Sequence, residues 1–303
     1  MKLLVTGALK CAKEQLNILA KLGHDVVFMQ NENDEVPCEY NEIQGVICNG
    51  LFLHHSIEKF TSLRYIQLTS AGFDRVPMDY IRAKKIEIHN ASGVYSIPMA
   101  EFVISGVLDL YKQSRFFYNN QKEKKWEKHR GVLELFGKTI CILGCGNVGT
   151  ECAKRFKAFG TKVIGVDLFV REDTVFEHIY NLNDLDKALS QADVVVLTLP
   201  LTAETRHIMN EQRFLNMKEG SVLVNVARGA VVDEKSLSKA LDEKLLGAVL
   251  DVFEEEPLAE NNVLWQKENV ILTPHNSFVG DGNAERLNQL IILNLDMGRR
   301  VND

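Results

Sequence analysis

Two kinds of segment alternate along the first third of this chain. Short apolar runs, at 2–6, 25–30, 44–48, 65–68 and 85–89, predict strands. Between them lie stretches of helical period, at 10–22 (stopped by Gly23), 56–61 and 78–84. Near-continuous apolar strands separated by helices belong to a parallel sheet covered on both faces, so residues 1–97 predict a small α/β unit. Gly7 follows the first strand with no second glycine beside it, which predicts a structural turn.

Ser96 and Pro98 then open a longer helical stretch, from 99 toward 120, with Ser96 as cap and Pro98 in the first turn. Its apolar positions include Phe102, Val103, Val107, Leu110 and Tyr111, and its place between two α/β units predicts a helix that crosses from one to the other and offers a dimer surface. The alternation resumes with strands at 139–143, 162–166, 194–198, 221–225, 247–250 and 270–272, and helices at 184–190, 211–216 and 234–242. That is a doubly wound sheet of six strands spanning 98–276. The final helix, 283–300, has no strand of the second sheet left to cover. It is expected to return to the first unit, giving a discontinuous domain of residues 1–97 and 277–303.

The most informative stretch is 138–167. A strand at 139–143 runs into Gly144-Cys145-Gly146-Asn147-Val148-Gly149, an amphipathic helix to Phe159 stopped by Gly160, and a second strand closed by Asp167. Gly144 permits the tight turn, Gly146 lets a pyrophosphate approach the backbone, and Gly149 lets the helix pack on the strand. The N–H groups of Asn147 and Val148 would face the phosphates from the helix N-terminus. Asp167 can accept from both ribose hydroxyls and its charge would repel a 2′-phosphate, so the expected cofactor is NAD rather than NADP.

Ligands of such sheets bind outside the carboxyl ends of the strands. Three strand ends there carry reactive side chains: Asn225-Val-Ala-Arg228-Gly229, Asp251-Val-Phe-Glu-Glu-Glu256-Pro257 and Thr273-Pro274-His275. A guanidinium offers a planar fork of donors to a carboxylate or carbonyl oxygen, and an imidazole can give and take a proton. Glu256, if hydrogen-bonded to the other ring nitrogen, would keep the acid charged. Together they suit the reduction of a 2-keto acid, with Arg228, Glu256 and His275 as catalytic residues.

Composition removes other classes. With 303 residues, 46% of them hydrophobic, the chain can bury two cores, and a net charge of −6 argues against a general nucleic-acid or anionic-membrane surface. The basic run 122–130 contains Glu123 and Glu127 and reads as a solvated helix end. The cysteines, at 11, 38, 48, 141, 145 and 152, show no CxxC pair and no zinc-type histidine spacing, so no metal is expected. Cys141 lies in a buried strand, and Cys145 reads as a tolerated position in the glycine loop rather than a redox device. The opening MKLLVTGALK is too short an apolar run for a signal peptide and nothing approaches a membrane span, so the expected location is cytoplasmic.

Taken in order, the chain resembles the D-isomer-specific 2-hydroxyacid dehydrogenase family. The likeness is carried by Thr69-Ser70-Ala71-Gly72-Phe73-Asp74, by 98–101, by Lys125-Trp126, by Leu135-Phe136-Gly137-Lys138-Thr139, by Leu199-Pro200-Leu201-Thr202 and by the three strand-end motifs. It implies two α/β domains with doubly wound parallel sheets, a Rossmann NAD-binding domain inserted into a flavodoxin-like substrate domain. It further implies Asp251 and Ala227 near the nicotinamide, Pro200 and Thr205 bordering the adenosine half, and Ser70, Ala71 and Gly72 as a loop whose backbone N–H groups hold the substrate carboxylate. The expected partner is a small 2-keto or 2-hydroxy acid, with no nucleic acid and no membrane, in a homodimer formed through the second domain. Where phosphoglycerate dehydrogenases tend to carry an arginine, this chain reads Ile47-Cys48-Asn49-Gly50-Leu51-Phe52, and after Pro-His it has Asn276-Ser277-Phe278 in place of a small residue. Phe52, Tyr95 and Phe278 are the residues expected to shape the pocket. An NAD(H)-sensing regulator on the same scaffold, and a relative acting on phosphoglycerate, are the alternatives.

Overall fold

Parallel pairing dominates because every connection between neighbouring strands is long enough to cross over the sheet. The computed structural model describes residues 1–10 and 13–300, with the side chains of residues 13 and 297–300 left out, so Cys11 lies outside the described residues. The chain divides into two compact units, Met1–Tyr95 with Gly280–Asp303, and Ser96–Val279. The hydrophobic pattern placed those divisions after residues 97 and 276.

The first unit runs β1 (Lys2–Thr6), α1 (Lys13–Lys21), β2 (Asp25–Met29), β3 (Gly45–Cys48), α2 (Leu51–His54), β4 (Tyr65–Leu68), α3 (Met78–Lys84) and β5 (Glu87–His89). Its five strands lie in the order β2-β1-β3-β4-β5, all parallel, which is the flavodoxin-like arrangement. The helix expected over 56–61 is only a single 3-10 turn at Ile57–Lys59, and the α-helical turn α2 precedes it. Gly7 is the tight turn its sequence suggested: its N–H donates to Met29 O at 2.9 Å, and a Cβ there would stand 2.1 Å from Gln30 O.

The second unit runs α4 (Ser96–Tyr111), α5 (Ser114–Lys122), β6 (Thr139–Leu143), α6 (Asn147–Ala158), β7 (Lys162–Asp167), β8 (His178–Asn181), α7 (Leu185–Leu189), β9 (Val194–Leu197), α8 (Glu211–Asn216), β10 (Val222–Asn225), α9 (Glu234–Glu243), β11 (Gly247–Leu250) and β12 (Val270–Leu272). Its sheet has seven strands, not six, in the order β12-β11-β10-β9-β6-β7-β8. The added strand β8 sits at the edge, where one face is exposed and no continuous apolar run marks it. On the central strand β6, Ile140 and Ile142 enter the apolar cluster on one face of the sheet, while Cys141 and Leu143 enter the cluster on the other.

The helix expected over 99–120 is two helices, and both belong to the second unit instead of linking the two. Gln113 adopts φ 57°, and the carbonyl of Tyr111 accepts from Leu133 N at 2.8 Å instead of continuing the helix. Ser96 is buried in the first turn of α4, so it does not serve as the cap. The basic run is helical only to Lys122.

The last helix, α10 (Asn283–Arg300), packs into the first unit. Leu287, Ile291 and Leu295, spaced one helical turn apart, join Leu3, Val5, Ile47 and Tyr65 in one cluster. Each such side chain removed from water contributes about 1.5–3 kcal/mol. Asn294 Nδ2 donates to the buried Gln67 Oε1 at 2.8 Å, and Arg286 Nε donates to Val94 O at 2.8 Å. Among the described residues no helix is long and apolar enough to cross a membrane.

Candidate active site

The glycine loop is built by contact geometry as well as by composition. Gly144 has φ 98°, and a Cβ on it would stand 2.7 Å from Leu199 N. A Cβ on Gly149 would stand 2.1 Å from Gly144 O, so α6 can start this close to β6 only with glycine there. Gly146 differs, for a Cβ on it would meet nothing within 4 Å. Its missing side chain leaves open space over the N-terminus of α6, which fits a group that must approach the backbone closely. Thr198 Oγ1, at the end of β9, donates to Gly144 O at 2.7 Å and so ties the loop to the neighbouring strand end. Asp167, at the end of β7, accepts from Cys145 N at 2.8 Å through Oδ2 and from Phe169 N at 3.3 Å through Oδ1. Asn147 begins α6, and Val148 packs against the core cluster beneath. These residues fit a dinucleotide: an open cradle over main-chain donors, with a carboxylate one strand away. Cys145 is buried with its thiol pushed up to about 12, by burial first and then by the Asp167 charge, so it stays a thiol.

The three reactive strand ends are neighbours, since β10, β11 and β12 lie side by side in register. Arg228 follows β10. Asn225 arranges its turn, accepting from Ala227 N at 3.0 Å and donating through Nδ2 to Arg228 O at 3.1 Å, and Arg228 Nη1 donates to Ala227 O at 2.8 Å. A Cβ on Gly229 would stand 1.8 Å from the carbonyl carbon of Phe253, so the turn after β10 presses directly on the turn after β11. That second turn carries Glu256, whose Oε1 accepts from Phe253 N at 3.1 Å. Its Oε2 lies 2.9 Å from His275 Nδ1, at the end of β12. A carboxylate can only accept here, so Nδ1 carries the proton and Nε2, which has no partner among the described residues, is left for chemistry. The Phe278 ring stands edge-on to the imidazole, with centroids 6.1 Å apart.

His275 sits at φ 51°, a left-handed conformation that costs a residue bearing a Cβ about 1–2 kcal/mol. Asp251 holds it there. The Asp251 carboxylate is 0% exposed and accepts from Thr273 Oγ1 at 2.6 Å, Asn276 N at 2.7 Å and Ser277 N at 3.0 Å, while its carbonyl accepts from His275 N at 2.8 Å. Asp251 therefore clamps the whole turn that carries the imidazole, a role the sequence motif did not disclose. Pro200 and Thr205 lie in one turn after β9, where the buried Thr205 hydroxyl donates to Pro200 O at 2.7 Å. Ala227 is buried beneath the Arg228 turn.

Ser70, Ala71 and Gly72 belong to the first unit, following β4. Their carbonyls and that of Thr69 are tied down: Tyr95 OH donates to Thr69 O, Ala91 N to Ser70 O at 2.9 Å, Asn90 Nδ2 to Ala71 O at 2.6 Å and Ser70 Oγ to Gly72 O at 3.2 Å. The amides of residues 70–72 donate to no group among the described residues. A turn with its acceptors tied down and its donors open suits an anion.

Comparison with known proteins places the chain in a family. Residues 104–277 match the family model described as D-isomer specific 2-hydroxyacid dehydrogenase, NAD binding domain. A glyoxylate reductase of Thermofilum pendens is 36% identical over 242 residues, covering 77% of this chain and 71% of the relative. A D-3-phosphoglycerate dehydrogenase of Methanocaldococcus jannaschii is 36% identical over 222 residues, 72% of this chain but only 42% of that longer protein. A D-lactate dehydrogenase from Aquifex aeolicus, solved with NAD and lactic acid, superposes with TM-score 0.76 at 28% identity, over 99% of this chain and 97% of the other. The chain thus belongs to the D-isomer-specific 2-hydroxyacid dehydrogenases and is an NAD-dependent oxidoreductase that interconverts a 2-keto acid and a D-2-hydroxy acid.

Proposed function

We propose that His275 is the proton donor and acceptor of this reaction, that Glu256 is its partner and that Arg228 orients a small, unphosphorylated 2-keto acid of the glyoxylate or hydroxypyruvate kind. The observation that carries the proposal is the 2.9 Å contact between His275 Nδ1 and Glu256 Oε2, which fixes the tautomer and leaves Nε2 available at a strand end. Bound NADH supplies a hydride to the keto carbon. In the reductive direction His275 acts as the imidazolium, its Nδ1–H held by Glu256: as the carbonyl electron pair moves onto oxygen, Nε2 gives that oxygen its proton and the ring is left neutral, and in the reverse direction the neutral ring takes the proton back at Nε2. Arg228 offers charge-assisted donors to the substrate, and the open amides of residues 70–72 hold its carboxylate. Gly144, Gly146, Asn147, Val148 and Gly149 hold the pyrophosphate, Asp167 the adenosine ribose, and Pro200 and Thr205 the turn beside it. Ala227 and Asp251 support the nicotinamide end, Asp251 chiefly by fixing the turn of His275.

The preference for an unphosphorylated substrate follows from the end of β3, where Asn49 and Gly50 supply no cation. Likeness to the M. jannaschii enzyme keeps phosphoglycerate as the second reading. The enzyme works as a cytoplasmic homodimer joined through the second unit, whose exposed Tyr118, Trp126 and Phe136 offer apolar surface to a partner. Sedimentation of the purified chain tests that assembly. The mechanism is tested by NADH oxidation with a panel of 2-keto acids. His275→Ala is expected to lower kcat about 10²–10⁴-fold, the usual worth of a general acid. Full activity in that variant, or no turnover of any 2-keto acid by the wild type, would refute the mechanism.

A further inference from the structure

The first unit has a ligand-binding position of its own, and it is filled from within. In the order β2-β1-β3-β4-β5 the strand order reverses between β1 and β3, the point at which such sheets take a ligand outside the strand ends. Thr6 closes β1, and Asn49 and Gly50 follow β3. Glu32, from the loop after β2, puts its carboxylate on all three: Oε1 accepts from Thr6 Oγ1 and from Asn49 N, each at 2.7 Å, and Oε2 accepts from Gly50 N at 2.6 Å. A hydroxyl and two successive amides make a donor set that suits a phosphate or carboxylate oxygen.

The glutamate is held from behind. Its carbonyl lies 2.9 Å from His55 Nε2, and His55 Nδ1 lies 2.9 Å from Tyr40 OH. A carbonyl only accepts, so Nε2 carries the proton and the tyrosine hydroxyl donates to Nδ1. The Tyr40 ring in turn stands edge-on against the buried Phe60. Two further features bear on what this position tolerates. Asn49 Oδ1 is buried with no donor, and Arg75 Cδ passes 4.0 Å from where a Cβ on Gly50 would stand.

We infer that Glu32 determines which substrate tails the enzyme accepts, by placing a fixed anion on the hydroxyl at the end of β1 and the two amides at the end of β3. The inference rests on the proposed role of residues 70–72 in holding the substrate carboxylate. Cys48 pairs with Leu68, and Thr69 N donates to Cys48 O at 2.9 Å, so the turn after β3 lies directly beside the turn after β4. A keto acid held at the second turn extends its tail toward a negative charge and a buried acceptor. A short neutral tail or one that donates a hydroxyl is accepted; a phosphate or second carboxylate is refused.

Hydroxypyruvate and 3-phosphohydroxypyruvate, which differ by one phosphate, test this with NADH as reductant. Wild type should favour hydroxypyruvate in kcat/KM by at least about tenfold, one charge-assisted contact's worth. Glu32→Ala, which frees the two amides beside Arg75, should move that ratio toward the phosphorylated acid by about tenfold or more and make inorganic phosphate a competitive inhibitor. Glu32→Gln, which keeps one acceptor oxygen, should move the ratio less and in the same direction, and it decides the matter if Glu32→Ala does not fold. A wild type that uses both acids equally, or a folded variant with an unchanged ratio, overturns the assignment. Turnover of neither acid by wild type would instead sink the underlying substrate reading, whereas turnover without discrimination sinks only the role of Glu32.

Discussion

Each unit of this protein carries a carboxylate at its strand ends with the same set of donors, a threonine hydroxyl and two successive backbone amides. In the second unit it is Asp251, served by Thr273, Asn276 and Ser277. In the first it is Glu32, served by Thr6, Asn49 and Gly50. The chemistry is alike and the consequence is not. Asp251 is 0% exposed and lies beneath the turn it organises, so its charge is compensated within the fold. Glu32 is only partly buried, at the position where a sheet of this order takes a ligand. One carboxylate builds a site and the other occupies one. The fold prescribes where ligands can bind, and individual side chains decide whether they do.

That contrast is most easily broken through stability. Asp251→Ala removes a fully buried acceptor from three donors and releases a strained histidine, and should cost about 3 kcal/mol or more in urea unfolding, together with most of the activity. Glu32→Ala exposes its donors to water and should cost about 1 kcal/mol. Equal losses at the two positions would mean that burial does not separate them as argued.

How far such features could be read beforehand depends on whether they are local. The glycine loop and Asp167 are consecutive or nearly so, and their residue types follow from one turn and one strand. Arg228, Glu256 and His275 were legible because each lies in the loop that follows an apolar strand, and parallel strands send all such loops to one edge. Strand β8 was not, for its sequence, His178-Ile-Tyr-Asn, fully buries only Ile179 at a sheet edge. The break between α4 and α5 carries no proline or glycine; it is imposed by Leu133, which takes the carbonyl of Tyr111 from a distant point in the chain. Glu32, and the clamping role of Asp251, escaped for the same reason, since the amides that reveal them lie seventeen or more residues away in sequence.

The comparison sharpens at the open strand ends of the second unit. Gly146→Val adds a side chain where a Cβ meets nothing within 4 Å, so the melting temperature should hold while NADH affinity, followed by cofactor fluorescence, falls about a hundredfold. Retained affinity would show that the cradle is not the cofactor's. Asp167→Ala should act more gently, removing a charge that a 2′-phosphate would meet and shifting the NADH to NADPH preference about tenfold toward NADPH. An unchanged preference would detach Asp167 from the ribose.

The smallest effect is expected at Cys145, a buried side chain inside the glycine loop. Its sulfur fills the space above Gly165, where a Cβ would stand 2.3 Å from Sγ; Arg171, whose Nη2 donates to Cys145 O at 2.5 Å, favours the thiolate, but burial and the Asp167 charge outweigh it. Burial holds the thiol at about 12, so at neutral pH it is protonated and closed to reagents that need a thiolate. Cys145→Ala removes one buried atom and should lower stability by about 1 kcal/mol through the small cavity it leaves, with kcat and the Km for NADH within about twofold of wild type. In native protein Cys145 should remain unlabelled by iodoacetamide at pH 8 until the second unit unfolds, as mass spectrometry of the digested chain would report. Rapid native labelling at Cys145 would place a reactive thiolate in the cofactor loop and overturn the view that this position serves packing alone.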